Sequence, residues 1–275
     1  MSTASAPVEI SHVALTVHDL EGMARFYTEA LGLNELSAST GARRLGADGH
    51  TLVELREDRA ARQATGREAG LFHTAFLMPD RPALARWLRH ATDGGLQLQG
   101  ASDHFVSEAL YLADPEGNGI EVYADRPRAA WRAPDGSLRM GTERLDLNAL
   151  VKAADAPWIG APEGMVVGHV HLQVGDVPQA EAFYTSTLGL PVMARYPGAA
   201  FYGSGGYHHH IATNVWNSRG AEVRSYPSTG LAELALAVDA EARAAILAAG
   251  GADRMSDPWG TVVSLRPKAE QPRAV

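Results

Sequence analysis

Cysteine is absent from the 275 residues, which excludes disulfides and thiolate metal sites. An excess of positive charge is also missing. Against 24 Lys and Arg stand 32 Asp and Glu, a formal net charge of −8, so bulk electrostatics give no support to a nucleic-acid role. No apolar run approaches the roughly 18 residues that a membrane-spanning helix needs. The opening "MSTASAPVEI" lacks the basic and apolar regions of a signal peptide, so a soluble, cytoplasmic protein with no membrane association is expected. The 45% hydrophobic and 20% charged content is ordinary for a folded chain, and the length suits two domains. What the chain does contain is 11 His, and neutral imidazole is the commonest protein metal ligand.

A duplication sets the architecture. "SHVALTVHDLEGMARFYTEALGL" (11–33) aligns without gaps with "GHVHLQVGDVPQAEAFYTSTLGL" (168–190), identical at 11 of 23 positions and offset by 157 residues. Each copy reads as a strand followed by a helix. Val13, Leu15 and Val17 alternate with polar or small residues, a period of two. Asp19 then fits an N-cap, Leu20, Met23, Tyr27 and Leu31 follow at helical spacing, and Gly32 fits the C-terminal stop. Strands near 34–38, 42–47 and 50–56 complete a βαβββ module. A second module starts at "GLFHTAFLM" (70–78), with a helix over 80–95 and strands near 97–100, 107–113 and 119–124. A third covers 166–214. A fourth runs from "GLAELALAV" (230–238) to "DPWGTVVSL" (257–265).

The expected class is α+β, with four βαβββ modules paired into two domains. Residues 1–125 (modules 1 and 2) would form one, 166–275 (modules 3 and 4) the other. Residues 126–165, which hold four Pro and a candidate helix in "TERLDLNALVKAA", read as a linker packed on the surface.

If modules 1 and 2 curl together, His12, His73 and Glu121 meet in one cup. His12 and His73 lie on the two first strands and Glu121 on the last strand of module 2, between the inward Ile120 and Val122. Two His and one carboxylate leave the other metal positions open, the pattern of non-haem Fe(II) oxygenases. The bland alternative is three unrelated polar residues on a solvated sheet face. Their matching places in the modules favour the metal.

The module pattern resembles the vicinal oxygen chelate superfamily (glyoxalase, bleomycin resistance protein, dioxygenase) over nearly the whole chain. Within it, "DHFVSEALYLADPEGNGIEVY" (103–123) is similar to the signature of two-domain type I extradiol dioxygenases. His104, Leu110, Tyr111, Asp114, Pro115, Gly117 and Glu121 are in register. One departure is Ser102, where the signature prefers Gly, Asn, Thr, Ile or Val. The resemblance implies two vicinal-oxygen-chelate domains and Fe(II) on His12, His73 and Glu121, with Mn(II), Ni(II) or Zn(II) as alternatives. It implies that Tyr111 and His104 hydrogen-bond the substrate oxygens. It also implies an acid/base His on the last strand of the module preceding the second metal His, where His50 stands. The substrates would be a catechol-type aromatic and O2, and the assembly a homo-oligomer.

Two other readings compete. Glu54 occupies in module 1 the place of Glu121, and glyoxalase-type members use that position as a fourth ligand, which would suit a metal-dependent isomerase or lyase. Members that bind small molecules without catalysis use the same cup. The second half looks partly degenerate. His169 matches His12, but Glu233 falls where His73 sits and Ser264 where Glu121 sits. In "GGYHHHIATN" (205–214), alternation puts His208 and His210 on one face and His209 on the other. His169, His210 and Glu233 thus form a candidate second site.

Overall fold

The computed structural model describes residues 6–268; the outermost ends of the two expected domains lie outside that span. Module 1 comprises β1 (Val8–Val17), α1 (Leu20–Leu31), β2 (Asn34–Ser39), β3 (Ala42–Ala47) and β4 (His50–Glu57). Module 2 comprises β5 (Gly70–Met78), α2 (Arg81–Asp93), β6 (Gly100–Asp103), β7 (Ser107–Ala113) and β8 (Gly119–Asp125). The connecting segment contributes β9 (Glu143–Arg144) and α3 (Leu147–Val151). Module 3 holds β10 (Val166–Gln173), α4 (Val177–Ser186), β11 (Val192–Tyr196), β12 (Ala199–Tyr202) and β13 (Ile211–Asn214). Module 4 holds β14 (Gly230–Val238), α5 (Ala240–Ala248), β15 (Arg254–Ser256) and β16 (Val262–Pro267). None of the described helices is long and apolar enough to cross a membrane.

Each module helix begins in the same way. Asp19, Asp80, Asp176 and Asp239 accept the backbone N–H three residues on, at 2.9, 2.8, 2.8 and 2.7 Å. A carboxylate there satisfies an orphan donor and complements the positive end of the helix. Leu20, Met23, Tyr27 and Leu31 on α1 are all buried, as their spacing predicts.

The modules pair differently from the expectation. β1 runs antiparallel to β14, so modules 1 and 4 share a seven-stranded sheet, ordered β15-β16-β14-β1-β4-β3-β2. β5 runs antiparallel to β10, so modules 2 and 3 share a nine-stranded sheet, ordered β11-β12-β13-β10-β5-β8-β7-β6-β9. Neither sheet lies within 1–125 or within 166–275. The connecting segment is also more than surface padding, because β9 extends the nine-stranded sheet beside β6. One apolar cluster runs through both sheets and the helices outside them.

Two tyrosines from the duplicated helix bind modules that the sheets do not. Tyr27 of α1 donates to Asp114 at 3.1 Å, in the Asp-Pro-Glu-Gly turn before β8. Tyr184 of α4 donates to Asp257 at 3.1 Å, in the matching Asp-Pro-Trp-Gly turn before β16. Each buried carboxylate also collects backbone N–H groups from its own turn, Glu116 and Asn118 for Asp114, Trp259 and Thr261 for Asp257. These aromatics thus pack as core residues and also carry a hydrogen bond to a buried carboxyl group, worth about 1.5–3 kcal/mol where that group is charged. Tyr27→Phe and Tyr184→Phe are each expected to lower stability by about 1–2 kcal/mol in urea unfolding. An unchanged midpoint in both would show that these contacts bind nothing together.

Candidate metal centre and pocket

The register of three neighbouring strands builds the site. On β10, His169 stands opposite Ala75 of β5, and His171 opposite His73. On β8, Glu121 stands beside the same Ala75. The small Ala75 side chain lies between Glu121 and His169 and leaves room for them to approach. Alternation sends Ile120 and Val122 into the core and Glu121 to the concave face. Nε2 of His73 lies 3.0 Å, and Nε2 of His169 3.3 Å, from the same Oε2 of Glu121. All three ligand atoms fall within 4.8 Å of one another, the one such group among the described residues.

The donor set suits a divalent cation. His73, Glu121 and His169 are all buried, and His73 Nε2 has no aligned hydrogen-bond partner despite its closeness to the carboxylate. Nitrogen lone pairs crowded on a buried carboxylate oxygen are unfavourable until a positive centre lies among them. Burial lowers the His169 pKa to about 4 against the pull of Glu121, so the imidazole is neutral and ready to coordinate at pH 7.

The triad lies in a cavity of about 580 Å³ walled by Phe72, Phe201, Trp216 and Met193. Tyr111, opposite Glu121 on β7, and His104 line it too. Burial, then the Glu121 charge, pushes the Tyr111 phenol well above its usual pKa, so it keeps its proton. The connecting segment closes one wall and fixes His104. The Gly141 carbonyl can only accept, so at 2.7 Å it receives a hydrogen bond from His104 Nδ1–H. Its Nε2 lies 2.6 Å from the Tyr111 hydroxyl, within hydrogen-bond distance. Gly141 has to be glycine for this approach, because a Cβ there would meet the Phe105 ring at 2.7 Å.

Several expected residues lie elsewhere. His12 is on β1 opposite Ala235, in the seven-stranded sheet, with its Nδ1 3.1 Å from Ser11 Oγ, and does not join His73 and Glu121. His169, its duplicate, takes the place expected for His12. Glu54 is not a fourth ligand, since it is ion-paired to Arg44 at 2.9 Å and Arg56 at 2.7 Å in the other sheet. His50 is exposed at the β3–β4 hairpin opposite Ala47, outside the cavity. The second site, His169 with His210 and Glu233, does not assemble. His210 Nδ1 accepts from the Ser204 backbone at 3.1 Å, and Glu233 is in the seven-stranded sheet. Tyr111, His104, His73 and Glu121 all line one cavity. His171 and His209 were not singled out by the sequence, and both line the cavity. The triple His lies in the connection before β13 and not on a strand, so the expected alternation is absent and no sequence signal marks His209.

In the seven-stranded sheet, arginines fill the equivalent cup. Glu233 receives Arg254 at 2.8 Å, Arg56 and Arg266 at 3.2 Å, and the Ser264 hydroxyl at 2.6 Å. Burial would raise its pKa, but Ser264 and the guanidinium groups hold it at about 2.

The comparisons agree with this architecture. The profile of the Glyoxalase/Bleomycin resistance protein/Dioxygenase superfamily matches residues 9–122 and 166–264, and the chain belongs to that superfamily. A catechol-2,3-dioxygenase of Bacillus subtilis (strain 168) is 39% identical over 237 residues, 84% of this chain and 83% of the relative. A biphenyl-2,3-diol 1,2-dioxygenase 3 of Rhodococcus globerulus is 28% identical over 119 residues, 42% of this chain and 63% of the relative. Among solved structures, a Bacillus subtilis protein described as a putative dioxygenase superposes with TM-score 0.63 at 13% identity, covering 95% of this chain and 86% of that one. Glyoxalase I of Zea mays gives 0.57 at 16% identity, covering 94% and 92%. At these identities the structural likeness speaks for the fold alone.

Two predictions follow from the two cups. After anaerobic loading with Fe(II), His73→Ala, His169→Ala and Glu121→Ala are expected to lose bound metal, and His12→Ala to keep it, by metal analysis per chain. Retention by His169→Ala together with loss from His12→Ala would move the site. Glu233→Gln should cost about 2 kcal/mol at pH 7. The folded pKa of Glu233 is depressed, so its contribution is full above the ordinary value of 4.5 and fades as pH falls toward 2. The gap between wild type and variant in urea melts should therefore narrow from pH 7 to pH 3.

Proposed function

We propose that this chain is an extradiol ring-cleaving dioxygenase that opens a catechol-type ring with O2, using Fe(II) held by His73, His169 and Glu121. The observation that carries this reading is the convergence of two imidazoles and a buried carboxylate beside the Tyr111–His104 pair, in a largely apolar cavity. The names of the Bacillus and Rhodococcus relatives support the reaction class. A bound ferrous ion supplies open coordination positions and electron transfer to dioxygen. Both oxygen atoms enter the ring-opened product, so no external reductant is needed.

The protein's own groups position and move protons. The neutral Tyr111 phenol and His104 hold a substrate oxygen by hydrogen bonding. His209, whose ring centroid is 4.1 Å from that of His169, is placed for the proton transfer first ascribed to His50. Phe72, Phe201 and Trp216 offer aromatic faces to a planar ring and exclude water. At about 580 Å³ the cavity is of the size that takes drug-sized ligands, which favours a substituted or two-ring catechol over catechol itself. The glyoxalase-like reading has lost its fourth carboxylate, Glu54, to the other sheet. A cytoplasmic homodimer is the setting we assign.

The test is O2 uptake by the anaerobically Fe(II)-loaded chain with catechol, 3-methylcatechol and 2,3-dihydroxybiphenyl. One O2 per ring and a yellow product are expected. Tyr111→Phe should lower kcat about 10- to 100-fold, that is about 1.4–2.7 kcal/mol of barrier. Turnover that proceeds without O2, or no ring opening of any of the three diols, would sink the reading.

A further inference from the structure

A chain of three side chains leads from the end of β8 to the cavity. His208 Nε2 lies 2.9 Å from Asp125 Oδ1, and His208 Nδ1 lies 2.8 Å from His209 Nδ1. His208 is fully buried, packed against Tyr207 at 4.1 Å and Trp131 at 4.9 Å between ring centroids. Asp125 also accepts the Tyr207 hydroxyl at 3.3 Å, and that oxygen lies 2.7 Å from the Tyr123 hydroxyl. His209 alone of these groups lines the cavity.

The directions of the hydrogen bonds follow from donor counting with a single proton on the His208 ring. An ionised carboxylate only accepts, so His208 carries a proton on Nε2. A neutral His208 then has a lone pair on Nδ1. The 2.8 Å contact therefore needs its proton on His209 Nδ1. That leaves His209 Nε2 as a lone pair. We propose that Asp125 and His208 are positioning residues that fix His209 in its Nδ1–H tautomer, with the Nε2 lone pair presented to the cavity. The tautomer follows from the hydrogen bonds together with a single proton on His208. Its use as a base toward a substrate hydroxyl rests on the dioxygenase reading.

The pair does two things that a lone pocket imidazole lacks. It holds the ring orientation, so that a substrate proton meets a lone pair at a fixed place. It also selects one of two tautomers of nearly equal energy, and the wrong one offers an N–H where an acceptor is needed. Asp125 is four residues beyond Glu121 on the same strand, so β8 supplies both a candidate ligand and the anchor of the tautomer chain.

The test is long-range ¹H–¹⁵N correlation NMR of the imidazoles in the ¹⁵N-labelled full-length chain, before and after adding diamagnetic Zn(II). The His209 signals are assigned by their loss in His209→Gln. Expected is a single tautomer in the wild type, with Nδ1 protonated and Nε2 not. In His208→Phe, which keeps the buried volume but removes the acceptor, and in Asp125→Ala, that pattern should give way to a mixture. In the Fe(II)-loaded chain, both variants should lose 10- to 100-fold in kcat with KM changed less than two-fold. A wild-type His209 protonated on Nε2 overturns the proposal, and so does a variant spectrum that keeps the wild-type pattern. If Asp125→Ala does not fold, the wild-type spectrum and His208→Phe still decide. The wild-type tautomer in a chain that cleaves no catechol would refute the dioxygenase reading and leave the tautomer assignment standing.

Discussion

Antiparallel pairing of β5 with β10 is the contact on which the candidate site depends. It sets His169 opposite Ala75, with Glu121 beside the same alanine on the third strand. A shift of one residue along either strand would turn its ligand to the other side of the sheet and leave a polar group in the apolar core. The register is therefore guarded twice, by hydrophobic alternation along β8 and β10 and by the convergence of polar groups on the opposite face. The cavity wall and the Asp125–His208 chain draw on those strands, on β11, β12 and the connection to β13, and on the segment packed across them.

The two cups show alternative solutions to one electrostatic problem. Both sheets descend from the same duplicated module, and both place a carboxylate deep in a concavity. In the nine-stranded sheet Glu121 faces two imidazoles and no guanidinium, and a metal would supply the balancing charge. In the seven-stranded sheet Glu233 faces three guanidinium groups, and charge balance is already complete. Arg56 bridges Glu54 and Glu233, occupying with an organic cation the kind of place that a metal would take. A protein cation of this kind serves packing but opens no coordination position to a substrate.

Much of this was legible in the sequence because it is local. The gapless repeat gave the modules, the Asp caps gave the helix starts, and the spacing from His104 to Glu121 gave a contiguous part of the pocket, since the residues between them form the β7–β8 hairpin. What failed was the choice of partner module. His12 and His169 occupy equivalent places in the two copies of the repeat, so no local signal says which of them meets His73. That choice is made by contacts far apart in the chain, β1 with β14 and β5 with β10. Glu54 and His50 were carried off with the same error, because both belong to module 1. His209 was passed over because three adjacent imidazoles have no distinguishing neighbours in sequence. Only their hydrogen bonds separate an inner link from the one that reaches the cavity.

Sheets join module 1 to 4 and 2 to 3, while Tyr27 and Tyr184 join 1 to 2 and 3 to 4. The four modules thus form a closed ring, and the ring has a consequence for synthesis. β1 is made before β14, yet Val8 pairs with Val238, so one edge of β1 stays bare until modules 2 and 3 and then β14 have been made. The nine-stranded sheet, whose central partners are closer in sequence, closes earlier. The half of the molecule that carries the candidate metal ligands is then assembled first, and the arginine-filled half arrives last as the closing piece.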